Sequence, residues 1–460
     1  MNEARNKPTA AIIVGLGVTG LSCVRYLLAH GWRICVTDSR ADPPGGAELA
    51  RLAPDLSVRF GGLDTGLLDE AVCVVASPGV PQSDPFFAEA RRRGITIVND
   101  IELFAVATDA PVVGITGTNG KSTVTTLVGA MAARAGLRVR VGGNLGPAAL
   151  DLLLASQADA QPTELYVLEL SSYQLEVTSS LDLRAATVLN VTPDHLDRYA
   201  SIGEYAAAKA RIFARCDTAV INLDDPLVAA MPQQAARTVG FSLRDAPGAD
   251  YTVAVPDSAA ATDGAGGPWL VCRGEPLMPV AAMRLKGMHN AANALAALAL
   301  GEAIGLPLEA MLDELRSFPG LPHRSQWVAD VGGVTYVDDS KGTNVGATLA
   351  AVAGMSGPLI VIAGGDGKAQ DFTPLRAAFR GKVRHVVLIG RDAARIEQVL
   401  RDVCATQRSA SLPEAVQAAA RVARPGDTVL LSPACASLDM FRNYAHRGEV
   451  FSSAVRELAA

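Results

Sequence analysis

Seven consecutive residues, Gly117-Thr118-Asn119-Gly120-Lys121-Ser122-Thr123, have the composition needed to hold phosphate. Glycines let backbone N–H groups approach phosphate oxygens, and a helix N-terminus adds a favourable dipole. Lys121 can reach terminal phosphates, and the hydroxyl of Ser122 or Thr123 can ligate magnesium. The strict form of this loop has glycine five residues before Gly120, where this chain has Ile115, so the loop is a variant. An ordinary tight strand–helix turn is the alternative. Gly-Lys-Ser-Thr between a strand pattern and a helix pattern argues against it.

Other polar clusters follow apolar runs. Glu169-Leu170-Ser171-Ser172-Tyr173-Gln174-Leu175-Glu176 comes after a buried-strand pattern, and an acid at such a strand end can hold Mg²⁺ directly or through water. Pro193-Asp194-His195-Leu196-Asp197-Arg198-Tyr199 is polar where a core would be apolar. For His195 alone, a solvated helix start with Asp194 as N-cap explains the sequence equally well. Lys209 lies in a helical stretch, 205–213, and its spacing reads as a surface lysine. Gly15-Leu16-Gly17-Val18-Thr19-Gly20 follows a strand, with Asp38 at the end of the next one, where a ribose-binding acid would fall. Taken alone this suggests a dinucleotide enzyme, although many nucleotide-binding folds share these glycines and tight packing alone can require them. Further along come His323-Arg324, Asp338-Asp339-Ser340-Lys341-Gly342-Thr343-Asn344, Gly364-Gly365-Asp366-Gly367-Lys368 and Ser432-Pro433-Ala434-Cys435-Ala436-Ser437. Polar clusters at several strand ends of one sheet point to one ligand crevice.

The elements that must carry these groups alternate between strand and helix patterns. Strands are expected at 10–14, 33–37, 71–76 and 95–98, with a helix at 18–30 that stops at Gly31. A second unit begins near Pro111, with strands at 112–115, 165–170, 186–189 and 219–221 and helices at 122–135 and 291–304. The Ala/Gly-rich stretch 257–267 reads as a loop or hairpin end. Phe318-Pro319-Gly320-Leu321-Pro322 breaks both helix and strand and reads as a boundary. Beyond it, strands are expected at 335–337, 359–363, 385–389 and 428–431. The rhythm predicts an α/β protein of three domains: a Rossmann-like N-terminal domain, a central P-loop ATPase domain and a Rossmann-like C-terminal domain.

With 460 residues the chain has room for two to four domains and ample core. A net charge of −6, from 41 basic and 47 acidic residues, argues against a nucleic-acid partner. Seven scattered cysteines without a CxxC pair fit reduced thiols better than disulfides or zinc. The first eight residues are polar, with no signal-peptide core, and the most apolar stretch, 291–308, is interrupted by Asn293 and Glu302. A cytoplasmic protein without membrane contact is expected.

These motifs resemble the Mur ligase family of peptidoglycan synthesis. The resemblance runs from Gly15-Leu16-Gly17-Val18-Thr19-Gly20 through 116–123, 169–176, 190–199, 289–294, 320–324 and 339–344 to 432–444. Asp339-Ser340-Lys341 with Thr343-Asn344 is similar to the D-glutamate-adding branch; other branches usually carry a segment ending in Asn-Pro there. The resemblance implies an ATP-dependent ligase that adds D-glutamate to UDP-N-acetylmuramoyl-L-alanine through an acyl phosphate, working as a monomer. It implies a UDP-binding domain at 1–99, an ATP-binding domain at 100–320 and an amino-acid-binding domain at 321–460. Val18, Thr19, Asp38, Ser39 and Arg40 would hold the uridine diphosphate, and Asn144 the muramoyl part. Gly117 to Thr123 would hold the ATP phosphates, with Lys121 on them, and Asn290, Asn293, Arg324 and Asp339 would contact the nucleotide. Ser122, Glu169 and His195 would organise two Mg²⁺ ions, together with Lys209, the lysine carbamylated in the family. Lys341, Thr343, Lys368 and Ser437, with the backbone near Tyr444, would bind D-glutamate; the family usually has Phe at that last position. Folylpolyglutamate synthase shares the variant loop but lacks a UDP-type N-terminal domain. An NAD-dependent oxidoreductase and a non-catalytic P-loop switch are the other readings, and the third domain's polar strand ends favour a second substrate over a switch.

Overall fold

The computed structural model describes residues 10–459 apart from 70, 197, 233, 256–266, 286 and 356. The polar start of the chain, Asp197 and all but Gly267 of the 257–267 stretch lie outside the described residues. Three sheets follow one another along the chain, with helices packed against them.

The first sheet is wholly parallel. The apolar strand Ala10–Val14 pairs with Arg33–Asp38 on one side and Cys73–Ala76 on the other, flanked by Ser57–Phe60 and Thr96–Val98. Strand order therefore reverses at Ala10–Val14, which opens a crevice beyond its C-terminal end. There the chain turns into the helix Val18–Ala29. Gly20 packs so closely on this turn that a Cβ would lie 2.1 Å from the Gly15 carbonyl oxygen, so no larger residue fits unshifted.

The second sheet has nine strands. Val112–Thr116 lies between Leu183–Val188 and Leu165–Glu169, all parallel, with Val139–Gly143 at one edge. On the other side Cys216–Asn222, Arg237–Phe241 and Ala249–Ala254 extend it, ending in the antiparallel strands Trp269–Cys272 and Glu275–Pro279. The helix Met288–Ala303 is buried continuously from Asn293 to Gly301; its alanines let it press against the helix Lys121–Arg134. The third sheet runs Gln326–Val331, Val334–Asp338, Thr428–Leu431, Leu359–Gly364, Val383–Ile389, Ala405–Arg408, with only the first pair antiparallel.

The first two sheets share one apolar core. Val24 and Leu27 of the N-terminal helix belong to the same cluster as Leu150 and Leu153 of the helix Ala149–Ala158, together with Phe104 and Tyr166. Arg25 adds a bidentate pair to Asp151, at 2.9 and 2.7 Å. The third sheet has its own clusters on its two faces. Among the described residues no helix is long and apolar enough to cross a membrane.

Asp100 opens the helix Asp100–Ala105 at the first seam and is 1 % exposed, with Gln174 Nε2 donating to it at 3.0 Å. Burial raises its carboxyl to about 6. The unfolded chain releases that proton near pH 4, so stability falls as pH rises between the two values. Asp100→Asn removes this slope. Urea unfolding should show the variant gaining about 1–3 kcal/mol on the native protein at pH 7.5 but not at pH 4; an equal difference at both pH values contradicts the burial.

Candidate active site

The strand Val112–Thr116 delivers the glycine loop, and the helix Lys121–Arg134 leaves it with Gly120 as N-cap. Gly120 has φ +85°, and a Cβ there would lie 2.5 Å from Asn293 Oδ1, so the helix Met288–Ala303 bears directly on the loop. The strand end after Leu183–Val188 holds it from another side. Thr118 N–H donates to the Asn190 carbonyl at 2.9 Å, and Asn119 N–H to Asn190 Oδ1 at 2.8 Å. Asn190 Nδ2 returns a bond to the Asn119 carbonyl at 3.0 Å. Lys121 Nζ donates to the carbonyls of Gly117 and Thr118, both at 2.9 Å. The helix begins with Ser122 and Thr123 buried beneath the loop.

Glu169 ends its strand 3 % exposed. Ser122 Oγ donates to Glu169 Oε2 at 2.6 Å, and Asn144 Nδ2 to Oε1 at 2.7 Å. Arg324, from the third unit, donates through Nη2 to Ser122 Oγ at 2.7 Å. Burial alone would raise the Glu169 carboxyl, but the Lys121 charge and these hydrogen bonds outweigh it and hold it below its ordinary value. Glu169 is therefore a buried, ionised carboxylate.

Lys209 corrects the surface reading that its spacing suggests: it is 1 % exposed. On the helix Ile202–Ala210, its Nζ donates to the Gly117 carbonyl at 2.9 Å and lies 4.4 Å from the centroid of the Tyr205 ring. Burial, then the charge of Lys121, holds its ammonium well below the usual range. His195 does not start a helix either. It sits in irregular chain with φ +55°, and its backbone N–H donates to Asp194 Oδ1 at 2.9 Å. Its Nδ1 lies 2.7 Å from the Tyr173 hydroxyl. Burial lowers its pKa against the pull of Asp194, with Lys368, Lys121 and Lys209 reinforcing the shift, so the imidazole is neutral at pH 7.

Among the described residues no cluster of three or more His, Cys, Asp or Glu side chains is arranged to hold a metal. The donor chemistry still suits Mg²⁺, which prefers oxygen and keeps several waters and substrate phosphates in its shell. Ser122 Oγ and the Glu169 carboxylate supply such oxygens at the mouth of the loop, and neutral His195 supplies a nitrogen nearby.

The third unit brings its strand ends to the same place. Asp339 Oδ1 accepts from Ser325 N–H at 3.1 Å and Oδ2 from Ser432 Oγ at 2.8 Å, while burial raises its carboxyl to about 7. Lys341 Nζ lies 3.8 Å from the Tyr444 ring centroid, and burial lowers it to about 8. Thr343 continues this turn, its N–H donating to the Lys341 carbonyl at 2.8 Å. Asn344 Nδ2 reaches back to Asn119 Oδ1 and Asp194 Oδ2, both at 3.3 Å, and Lys368 Nζ lies 4.0 Å from Asp194 Oδ1. Ser437 is buried in the loop after Thr428–Leu431. Arg447, absent from the sequence reading, is fully buried. It donates to Ser340 Oγ at 2.9 Å, the Ser340 carbonyl at 2.7 Å and the Cys435 carbonyl at 3.1 Å, tying two strand-end loops together. No local signal marks it, because an arginine on a terminal helix ordinarily faces solvent.

Two cavities result. Asn119, Gly120, Asn290, Asn293, Arg324, Asp339 and Lys341 line one of about 300 Å³, with Phe241, Leu285 and Ala351 as apolar wall. Val18, Thr19, Asp38, Ser39, Arg40 and Asn144 line the other, of about 580 Å³, between the first and second units. Both oxygens of Asp38 are engaged: Leu16 N–H donates to Oδ2 at 2.7 Å, and Arg40 donates to Oδ1 and Oδ2 at 2.9 and 2.7 Å. An acid already saturated by an arginine is a poor receptor for a dinucleotide ribose. Asn144 lines the second cavity and Arg324 the first, and a hydrogen-bond chain through Glu169 and Ser122 links these two residues.

Three family models match in succession: a Mur ligase MurD-like N-terminal domain over residues 9–99, a Mur ligase middle domain over 115–301 and a Mur ligase glutamate ligase domain over 323–435. The chain belongs to the Mur ligase family. This Mur ligase is 50 % identical over 464 residues to UDP-N-acetylmuramoylalanine–D-glutamate ligase of Nitrosococcus oceani, covering 100 % of this chain and 99 % of that one. It is 48 % identical to the protein of that name from Pseudomonas aeruginosa, covering 97 % and 98 %. In fold it resembles the UDP-N-acetylmuramate-alanine ligase MurC of Thermotoga maritima, with a TM-score of 0.60 at 18 % identity over 97 % of this chain and 99 % of that one. MurF ligase of Thermotoga maritima in complex with ADP gives 0.59 at 16 % identity over 98 % and 96 %.

Arg324 is the third unit's charged contact with the loop helix. Charge-assisted hydrogen bonds are worth about 1.5–3 kcal/mol, so Arg324→Ala should raise the Kd for ATP about 10–100-fold by calorimetry. An unchanged Kd would remove Arg324 from the nucleotide site.

Proposed function

We propose that this Mur ligase joins D-glutamate to the L-alanyl carboxylate of UDP-N-acetylmuramoyl-L-alanine, with ATP split to ADP and phosphate. As a member of its family it is an ATP-dependent amide-bond ligase of peptidoglycan precursor synthesis. The observation that carries the specific reading is the Glu169 centre, reached by side chains from the loop helix and the third unit and linked through Asn144 to the second cavity.

On this reading residues 1–99 hold the UDP group, 100–320 hold ATP and 321–460 hold the incoming amino acid. The Gly117–Thr123 backbone and Lys121 take the phosphates, and Asn290, Asn293, Arg324 and Asp339 take the nucleoside and its phosphates. Val18, Thr19, Ser39 and Arg40 take the uridine diphosphate, with Asp38 orienting Arg40. Lys341, Thr343, Lys368, Ser437 and the chain at Tyr444 receive D-glutamate. The protein works as a cytoplasmic monomer on small soluble substrates.

A carboxylate does not condense with an amine unaided, because hydroxide is a poor leaving group. Activation solves this. A carboxylate oxygen of L-alanine attacks the γ-phosphorus, the bond to ADP breaks, and an acyl phosphate forms. The neutral D-glutamate amine then attacks the acyl carbon, and phosphate leaves with that carboxylate oxygen. Lys121 and Arg324 would neutralise charge on the transferring group, which is the main form of catalysis open to a phosphoryl transfer. Mg²⁺, when bound by Ser122, Glu169 and His195, supplies Lewis-acid neutralisation of the phosphates. Burial shifts Lys209 toward its uncharged form, and a free amine is what CO₂ adds to, so a carbamate there would bring an anion beside the loop.

Phosphate release from ATP should require UDP-N-acetylmuramoyl-L-alanine and D-glutamate together, with L-glutamate inactive. Release with neither isomer would sink the reading. Lys121→Ala should abolish turnover. Lys209→Ala should be nearly inactive and partly restored by acetate, and full activity in that variant would exclude the carbamate.

A further inference from the structure

We propose that Tyr173, which the mechanism above leaves unused, is a positioning residue that fixes the tautomer of His195. The proposal rests on the reading that His195 faces the metal. Tyr173 lies on the short helix Ser172–Leu175, which starts just after Glu169 and is closed by a reciprocal cap between Ser171 and Gln174. One strand end therefore places both the carboxylate and the phenol. The phenol ring is held in turn: the Arg198 guanidinium lies 4.0 Å from its centroid, and Tyr199 stacks at 6.0 Å. Arg198 is itself fixed by Glu176 Oε2 at 2.7 Å and by the Pro78 carbonyl of the first unit at 3.0 Å.

The Tyr173 hydroxyl is thus a fixed point 2.7 Å from His195 Nδ1. A neutral imidazole has one N–H and one lone pair. If Nδ1–H donates to the phenol oxygen, the lone pair is on Nε2. That atom lies 3.8 Å from Asp194 Oδ2, too far for a hydrogen bond, so a nitrogen and a carboxylate oxygen stand as two separate donors. The opposite tautomer would put a proton on Nε2 and block it. Metal-binding histidines ordinarily give their second N–H to an oxygen, which sets tautomer and ring angle. With phenylalanine at 173 the phenol oxygen no longer accepts from Nδ1–H, and the charge of the Asp194 carboxylate, 3.8 Å from Nε2, favours the proton there.

Tyr173→Phe keeps the ring and its packing. The tautomer can be read in the metal-free protein by long-range ¹H–¹⁵N spectra at pH 8, with His195→Gln assigning the signals. The native protein should carry its proton on Nδ1, and the variant should shift at least about tenfold toward Nε2–H. In a Mn²⁺ titration with ADP, followed by electron paramagnetic resonance, the variant's midpoint should rise about 10–100-fold. The same tautomer in both proteins, a native Nε2–H form, or an unmoved Mn²⁺ midpoint overturns the proposal. D-Glutamate-dependent turnover of the native protein reports separately on the ligase reading, so either can fail without the other.

Discussion

An ionised carboxylate buried almost completely, Glu169, sets the terms for the rest of the molecule. Removing such a group from water costs several kcal/mol unless charges and donors surround it. Here they come from Ser122 and Lys121 at the loop helix, from Asn144 after the edge strand Val139–Gly143, and from Arg324 in the third unit. The loop helix, the wall of the second cavity and the third unit each supply a group that helps to satisfy this one side chain. The same arrangement puts an ionised carboxylate beside the glycine loop, balanced by the Lys121 and Arg324 cations.

The two seams of the molecule differ in kind. The first and second units share an apolar core reinforced by the Arg25–Asp151 pair. The third unit meets the site through polar contacts: Arg324 to Ser122, Asn344 to Asn119 and Asp194, and Lys368 near Asp194. Polar seams between units open more readily than apolar ones. On the proposed function, a third unit that docks through such polar groups suits an enzyme that must keep water from an acyl phosphate.

Much of this was legible in the sequence, and the limits have physical reasons. The glycine loop and the strands that present it are local signals, because turn geometry and strand burial are written in neighbouring residues. Asp38 was legible as a strand-end acid but not its pairing with Arg40, which argues against the dinucleotide reading. Lys209 reads as a surface residue because helical spacing does not reveal which face the rest of its own unit covers. Arg447 is invisible for the same reason. His195 reads as a helix start because nothing local reveals its φ of +55°. The strands Ala249–Ala254, Trp269–Cys272 and Glu275–Pro279, at one end of the second sheet, are short and only half buried, so their alternation is weak. Roles for Asn290, Asn293 and Arg324 came from family resemblance; the structure adds that all three line one cavity.

Hydrogen bonds through Glu169 link the linings of the two cavities, and on the proposed function a substrate carboxylate from one meets the γ-phosphorus of ATP in the other. Oxygen transfer tests it directly. With both carboxylate oxygens of the L-alanyl group labelled with ¹⁸O, the inorganic phosphate released in the presence of D-glutamate should carry one ¹⁸O atom by mass spectrometry. Unlabelled phosphate accompanying amide formation would mean that the carboxylate never bonded to phosphorus, and would contradict the account.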